Sequence, residues 1–590
     1  MKEFFKMFGA VMAGLFVFSI GSMIVTFLFF IMFVSIFSTT ETVSIKSDSI
    51  LHITLKEPVV DHFRDYDMSI DRYLSATPAF VSLRSAVLAI RKAAEDPKIK
   101  GIFIETEGSS SDLTILSELR KELLKFKNSG KFIYAYSEYF GTSDFYLATA
   151  ADSLFVNPQG GIFFKGLSAQ IMFMKGMFDK LGLEPQIIRA GKFKSAVEPF
   201  IQDKMSNENR EQYSALLSNI WGNMLNEISM SRDISKAGLQ KSVNELNTIF
   251  PDDVLASGLV DGLLNKEDVI SKLRKLSGKD DDENITLVTL SKYISSLGNL
   301  EQSNKGDGEV EVLYANGEIV DGKGDIEQIG SESFIEELKR IKNDENVKSV
   351  VIRINSPGGS ALASENILLE VKELGKKKPV VVSMGRVAAS GGYYIAAEAD
   401  KIVAERYTIT GSIGVFGLFI STKKLFNEHL GIYIDTVNTN TYADFLSGYR
   451  PLTNYEMGKF QLNVNKIYST FLTRVSEGRN LRYEYVDSIG QGRVWIAEDA
   501  LKLGLVDTIG GLSEAIEIAA NLAGLNEYKV VTGQSKRSFF DEFFQNILQD
   551  VRSFFREELP LEIQSAIDSY KRVKTTNGVY TRLPFDMTIN

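Results

Sequence analysis

The residues best suited to covalent chemistry lie in VAASGGYYIA, Val387 to Ala396. Ser390 follows three small residues and precedes Gly391 and Gly392, so its hydroxyl stands where side-chain bulk is least. A serine becomes a nucleophile when a neighbouring group accepts its proton, and the usual acceptor is histidine. The sequence holds three histidines in 590 residues: His52, His62 and His429. A lysine can take that role if burial lowers its pKa, because desolvation disfavours the charged form. Two lysines stand close together in RAGKFKSAVEPF, Arg189 to Phe200: Lys192 and Lys194. Spacing does not choose between them, and either can equally be read as a surface lysine.

A second group of small residues, Asn355-Ser356-Pro357-Gly358-Gly359, follows the apolar run SVVIRI. Ser390 itself opens the helix GGYYIAAEA, and the free N–H groups of a helix N-terminus can hold an oxyanion. A glycine pair between a strand and a helix is often turn chemistry alone. Two such turns in one half of the chain, both at C-terminal strand ends, mark the edge where ligands bind in α/β sheets.

The elements that must position these groups occur twice. IKGIFIE (Ile99–Glu105) and VKSVVIR (Val347–Arg353) lie 248 residues apart, and the same offset lays FYLATAADSLFV on YYIAAEADKIVA. Each half reads strand, helix, strand, helix, strand. The strands are short apolar runs, and helices such as LTILSELRKELLKFKNSG and ASENILLEVKELGKKK are amphipathic. Strands alternating with helices predict a parallel α/β sheet, here duplicated in tandem. The halves differ where chemistry is possible. At offset 248, Ser390, Gly391 and Gly392 fall on Thr142, Ser143 and Asp144. The NSPGG turn falls on a serine run, Ser109 to Ser111, and the lysine pair lies only in the first half. The expected organisation is an N-terminal anchor over 1–45, a first repeat over 46–300, a second over 301–530 and a tail over 531–590. RSFFDEFFQNILQDVRSFF in the tail has apolar residues at helical spacing and an acidic polar face. That reads as a packing stripe in preference to a membrane contact.

Composition narrows the function. A net charge of −10 without a basic stripe argues against nucleic acid. The absence of cysteine removes disulfides, thiolate metal sites and a cysteine nucleophile, and three scattered histidines make a zinc site a poor expectation. From Met7 to Phe37, 31 residues carry no charge. That exceeds the roughly 20 apolar residues a spanning helix needs, and no A-x-A cleavage pattern follows. A retained transmembrane anchor is the expectation, with a cleaved signal as the alternative. Lys2 and Lys6 ahead of the run favour a cytoplasmic N-terminus, which places the rest of the chain across the membrane.

KFKSAVEPF, the INSPGG turn, AASGGYYIA and TGSIGV (Thr410–Val415) resemble the corresponding stretches of signal peptide peptidase A, or protease IV, a family of membrane-anchored bacterial serine proteases. The resemblance runs from the anchor to about residue 530 and leaves out the tail, which ends GVYTRLPFDMTIN. It implies a Clp/crotonase-like fold, Ser390 as nucleophile and Lys194 as general base. An oxyanion hole around Gly358, Gly359 and Gly391 is also implied. Ser412, in TGSIGV, is expected to orient Lys194, with plain turn structure as its alternative. The resemblance further implies a bowl-shaped homotetramer at the bacterial inner membrane with its catalytic body on the periplasmic side. Its substrates would be signal peptides left in the membrane after export, and no metal or other cofactor is required.

Three rival readings remain at this stage. A crotonase-type acyl-CoA enzyme would share the fold but would not need Ser390 paired with Lys194. A Clp-type protease would need a histidine after Ser390, and His429, in LFNEHLGIY, is the one available. An inactive membrane scaffold would tolerate replacement of both Ser390 and Lys194.

Overall fold

The structure is a computed structural model. It describes residues 44–61, 80–106, 108, 111–298, 306, 308–325 and 327–533, the backbone of 578–582, and scattered positions between 3 and 25. Most of the uncharged run, His62 and the aromatic stripe of the tail lie outside the described residues. Among the described residues no helix is long and apolar enough to cross a membrane. The chain divides into two units, Met1–Ile45 and Lys46–Asn590. The described positions from 3 to 25 in the first unit are helical; the account below concerns the second.

Two sheets carry the duplication. In the first, the order is Gly262–Leu263, Ser153–Ile162, Phe132–Phe140, Ile99–Glu105, Ser49–Ile53, Thr286–Thr289, all parallel. In the second, Thr508–Ile509, Lys401–Ala404, Val380–Ala389, Val347–Ser356, Glu309–Asn316 and Lys529–Thr532 follow in the same order, also parallel. Ile409–Gly411 continues alongside the far end of Val380–Ala389, with Val494–Ile496 antiparallel to it. Both faces of the second sheet are covered, which is why its strands read as continuous apolar runs. Val350, Ile352 and Ile354 pack on one face with the helix Ala361–Gly375, and Val351 and Val381 on the other with Leu512–Leu522.

The repeats match in detail. Asp152 and Asp400 each accept the N–H of a neighbouring strand's first residues, Ile133 and Val380, at 2.7 Å. Asp261 and Asp507 do the same for Leu154 and Ile402. Two 26-residue helices, Asn207–Arg232 and Asn454–Arg479, end in left-handed Asp233 and Asn480. Each presents its last arginine to the same aspartate, Arg232 to Asp261 at 2.9 Å and Arg479 to Asp507 at 2.7 Å.

A third sheet ties the halves together. Val415–Ser421 of the second repeat pairs antiparallel with Glu184–Ala190 of the first over seven residues. On its other side it pairs with Gly578–Arg582, which in turn pairs with Gly358–Ser360. Behind these contacts lies a buried ion cluster. Arg353 has no exposed surface, and its guanidinium donates to Asp61 Oδ1 at 2.7 Å and Glu118 Oε1 at 3.1 Å, both first-repeat residues, and to Ser383 Oγ at 2.9 Å.

Candidate active site

Ser390 is the corner between the strand Val380–Ala389 and the helix Gly391–Ala396. Its backbone is held at φ 56° and ψ −114°. A side-chain-bearing residue at positive φ is strained and persists where surrounding contacts over-determine it. Those contacts are visible: the Ser390 N–H donates to the Gly411 carbonyl at 2.8 Å, and its own carbonyl accepts from Tyr394 N at 2.8 Å. The hydroxyl makes no cap bond to the helix that it opens.

The two glycine turns belong to one construction. Register aligns Ser356 with Ala388, so Pro357 and Gly358 run beside the end of the strand that delivers Ser390. A Cβ on Gly392 would sit 2.6 Å from the Ser356 carbonyl, and one on Gly359 would sit 2.0 Å from the Ile319 carbonyl. Gly358 takes φ +100°, which favours glycine, and its N–H donates to Ser356 Oγ at 3.2 Å. Gly391 is the first residue of its helix, where N–H groups have no intrahelical acceptor.

Lys194 arrives from the first repeat, in the loop that follows Glu184–Ala190. Its Nζ lies 2.7 Å from Ser390 Oγ, 3.0 Å from Ser412 Oγ and 3.1 Å from the Ser412 carbonyl oxygen. Lys194, Ser390 and Ser412 are all wholly buried. Desolvation holds the lysine well below the usual range of an amine. Ser412 is also at positive φ, 50°, with its N–H donating to the Arg493 carbonyl at 2.7 Å and its hydroxyl facing the Gly492 carbonyl at 3.4 Å.

The structure separates residues that the sequence left side by side. Lys192 is exposed, with its ammonium 5.1 Å from the centre of the Phe193 ring. His52 is paired with Glu105 at 2.9 Å in the first repeat. His429 is exposed at the end of the single helical turn Leu425–His429. At the first repeat's counterpart of the Ser390 corner, Thr142 donates its hydroxyl to the Phe163 carbonyl at 3.0 Å.

Sequence reasoning missed the loop that seats the lysine. The Gln491 carbonyl accepts from Phe193 N at 2.9 Å, and Gly492 N donates to the Ile413 carbonyl at 2.7 Å. A Cβ on Gly492, itself at φ +76°, would lie 2.7 Å from Lys194 Cβ. Gln212 donates to Ser195 Oγ at 2.6 Å and to the Phe193 carbonyl at 3.3 Å, bracketing Lys194 from the long helix of its own repeat. The available signal was IGQGRVW, Ile489 to Trp495, with its glycine pair in a loop of the second repeat.

A buried hydroxyl against a buried amine that has no ion pair among the described residues can exchange a proton within the pair, with backbone N–H groups at two adjacent turns. The profile of Peptidase family S49 matches residues 125–280 and 372–526, once in each repeat. A Clp protease profile matches residues 303–412. Protease 4 of Haemophilus influenzae is 34% identical over 494 residues, covering 82% of this chain and 80% of that protein. The chloroplastic Serine protease SPPA of Arabidopsis thaliana is 34% identical over 493 residues, 83% of this chain and 71% of that protein. A putative signal peptide peptidase SppA of Enterococcus faecium is 32% identical over 274 residues, 45% of this chain and 78% of that protein.

Proposed function

The chain belongs to peptidase family S49 and is a serine protease, and on that premise we propose that it cleaves peptides with Ser390 as nucleophile and Lys194 as general base. The observation that carries this reading is the 2.7 Å contact between Lys194 Nζ and Ser390 Oγ, made between repeats and sealed from water.

A neutral amine has two N–H groups and one lone pair. The Ser412 carbonyl and hydroxyl oxygens accept the two N–H groups, which leaves the lone pair directed at the Ser390 hydroxyl. Ser390 Oγ attacks the peptide carbonyl carbon while its proton passes to Nζ. The carbonyl oxygen becomes an oxyanion, for which the N–H groups around Gly358, Gly359 and Gly391 are the donors at hand. The long bond from Gly358 N to Ser356 Oγ is one that a developing negative charge outcompetes. The tetrahedral intermediate collapses, the Lys194 ammonium returns its proton to the leaving amine, and an ester remains on Ser390. Lys194 then takes a proton from water, which attacks the ester carbonyl; as the bond to Ser390 Oγ breaks, the Lys194 ammonium returns that proton to the serine oxygen and the acid leaves.

The proposed substrates are signal peptides left in the membrane after export, in line with the name of the Enterococcus relative. The uncharged run within 1–45 would hold the enzyme in the bacterial inner membrane beside them, with its catalytic body on the periplasmic side. The proposed homotetramer joins its copies along two unpaired segments. Residues 167–173 match Val415–Ser421 at the repeat offset but form no strand, and 432–438, the match of Glu184–Ala190, are exposed. Pairing these between copies repeats the contact already made within the chain and closes a ring.

The test is hydrolysis of an apolar peptide by the full chain in detergent. Ser390→Ala and Lys194→Ala are each expected to lower kcat/KM by at least about 1,000-fold. Near-normal turnover by the lysine variant would remove Lys194 from the role of base. A fluorogenic signal peptide in vesicles, cleaved no faster than a soluble peptide of equal length, would count against the membrane substrate.

A further inference from the structure

The third sheet contains a strand that the chemistry does not require. Gly578–Arg582 lies antiparallel between two strands beside the nucleophile. Gly358 aligns with Arg582 and Gly359 with Thr581 on one side. Phe416 aligns with Tyr580 and Gly417 with Val579 on the other. An extended peptide whose carbonyl is to meet the N–H groups at Gly358 must add along this edge, and strand addition is how many proteins hold extended peptides. The composition of the strand, with valine, tyrosine and threonine, suits the pleat. Both edges flanking Ser390 are thereby taken, and Ser390 has no surface open to solvent.

We propose that the groove between Gly358–Ser360 and Val415–Ser421 is a strand-docking surface whose resident occupant is the chain's own Gly578–Arg582, so that a substrate peptide binds by displacing it. The inference rests on the reading of Ser390 as the nucleophile. A covalently tethered strand reaches an effective concentration on the order of millimolar without new contacts, so even a weak strand raises the apparent KM severalfold. The tether links the strand to Gly533, where the described part of the second repeat ends. An occupied edge also removes a template for pairing with other chains.

The experiment uses the full chain carrying Val579→Pro and Tyr580→Pro, adjacent residues whose N–H groups point to opposite sides, so that one is deleted on each side of the strand. The KM for an apolar peptide is expected to fall about 10-fold with kcat unchanged, and Val579→Pro alone is expected to move it in the same direction. Excess synthetic peptide 576–590 is expected to restore the original KM, which a misfolded variant would not show. A second measurement needs no turnover: fluorescein-labelled peptide 576–590 is titrated into Ser390→Ala chains with and without the prolines, and anisotropy is read. The proline-bearing chain is expected to bind it about 10-fold more tightly. Binding without hydrolysis by any chain that retains Ser390 would sink the protease mechanism and keep the docking surface. Equal binding by both chains with an unmoved KM overturns the proposal. A wild-type KM that falls on dilution assigns the strand to a neighbouring copy and overturns the own-chain assignment.

Discussion

Lys194 is costly to keep. A buried amine with a lowered pKa binds fewer protons in the folded state than in the unfolded chain. Stability therefore rises with pH between the lowered value and the ordinary 10.5, and at neutral pH the folded state bears a penalty. Lys194→Met, similar in length and free of charge, is expected to abolish hydrolysis and raise the melting temperature by a few degrees, about 2–5 °C. Calorimetry at pH 7 checks this, and an unchanged or lower melting temperature would mean that the lysine is not penalised. With Lys194 as the proposed base, the same sign is expected in activity: kcat/KM falls as pH drops through the lowered lysine pKa and is already full below the usual amine range, which a pH–rate profile checks. Gly492→Ala is expected to cut kcat about 100-fold with little change in KM, because a methyl group there pushes the lysine stem out of line. A pH–rate profile that moves along with kcat would separate mispositioning from general damage. At this scale the sequence was partly readable. Ser390 stood out because two glycine-bearing turns fall at C-terminal strand ends of one half and their counterparts in the other half lack the glycines. Lys192 and Lys194 were inseparable because two residues of loop carry no periodicity to say which side chain turns inward. The choice is made by Gln491 and Gly492, almost three hundred residues further on.

Strands and helices were the most legible elements, since runs such as SVVIRI and PVVVSM mark strands covered on both faces. The repeat extended further than the ungapped stretch suggested, into matched 26-residue helices and their aspartate clamps, where small gaps shift the offset from 248. The arginine inside SVVIRI had no partner that sequence could name, because Asp61 and Glu118 lie in the other repeat. Arg353→Met leaves two carboxylates buried beside each other without a cation and is expected to cost about 3–5 kcal/mol. Denaturant unfolding measures this, and a loss below about 1 kcal/mol would show that the cluster is not needed for stability. The antiparallel pairing of Val415–Ser421 with Glu184–Ala190 was also unreadable. Pairing between distant segments leaves no local pattern, and the apolar alternation of VFGLFIS fits several partners.

On the scale of the whole molecule, the seam between the repeats is itself titratable. Glu405 of the second repeat accepts from Ser117 Oγ of the first at 2.7 Å, and burial pushes its carboxyl up to about 8. A raised folded pKa means that the folded chain holds a proton the unfolded chain has released. The stability from Glu405 is therefore complete below 4.5 and lost as pH rises to about 8. Glu405→Gln is expected to flatten that part of the pH–stability curve and to be the more stable protein at pH 9; parallel curves for the two chains would exclude the effect. The division of the proposed dyad between the repeats has a temporal consequence. Translation delivers Lys194 first and the loop at Gln491 and Gly492 roughly 300 residues later, which at ordinary rates of synthesis is a delay of tens of seconds. Through that interval a half-made chain holds a lysine with no serine, then a serine whose base has no seat. On the proposed dyad, hydrolytic competence reports that both repeats have folded and docked, and an unfinished chain has no means of attacking itself.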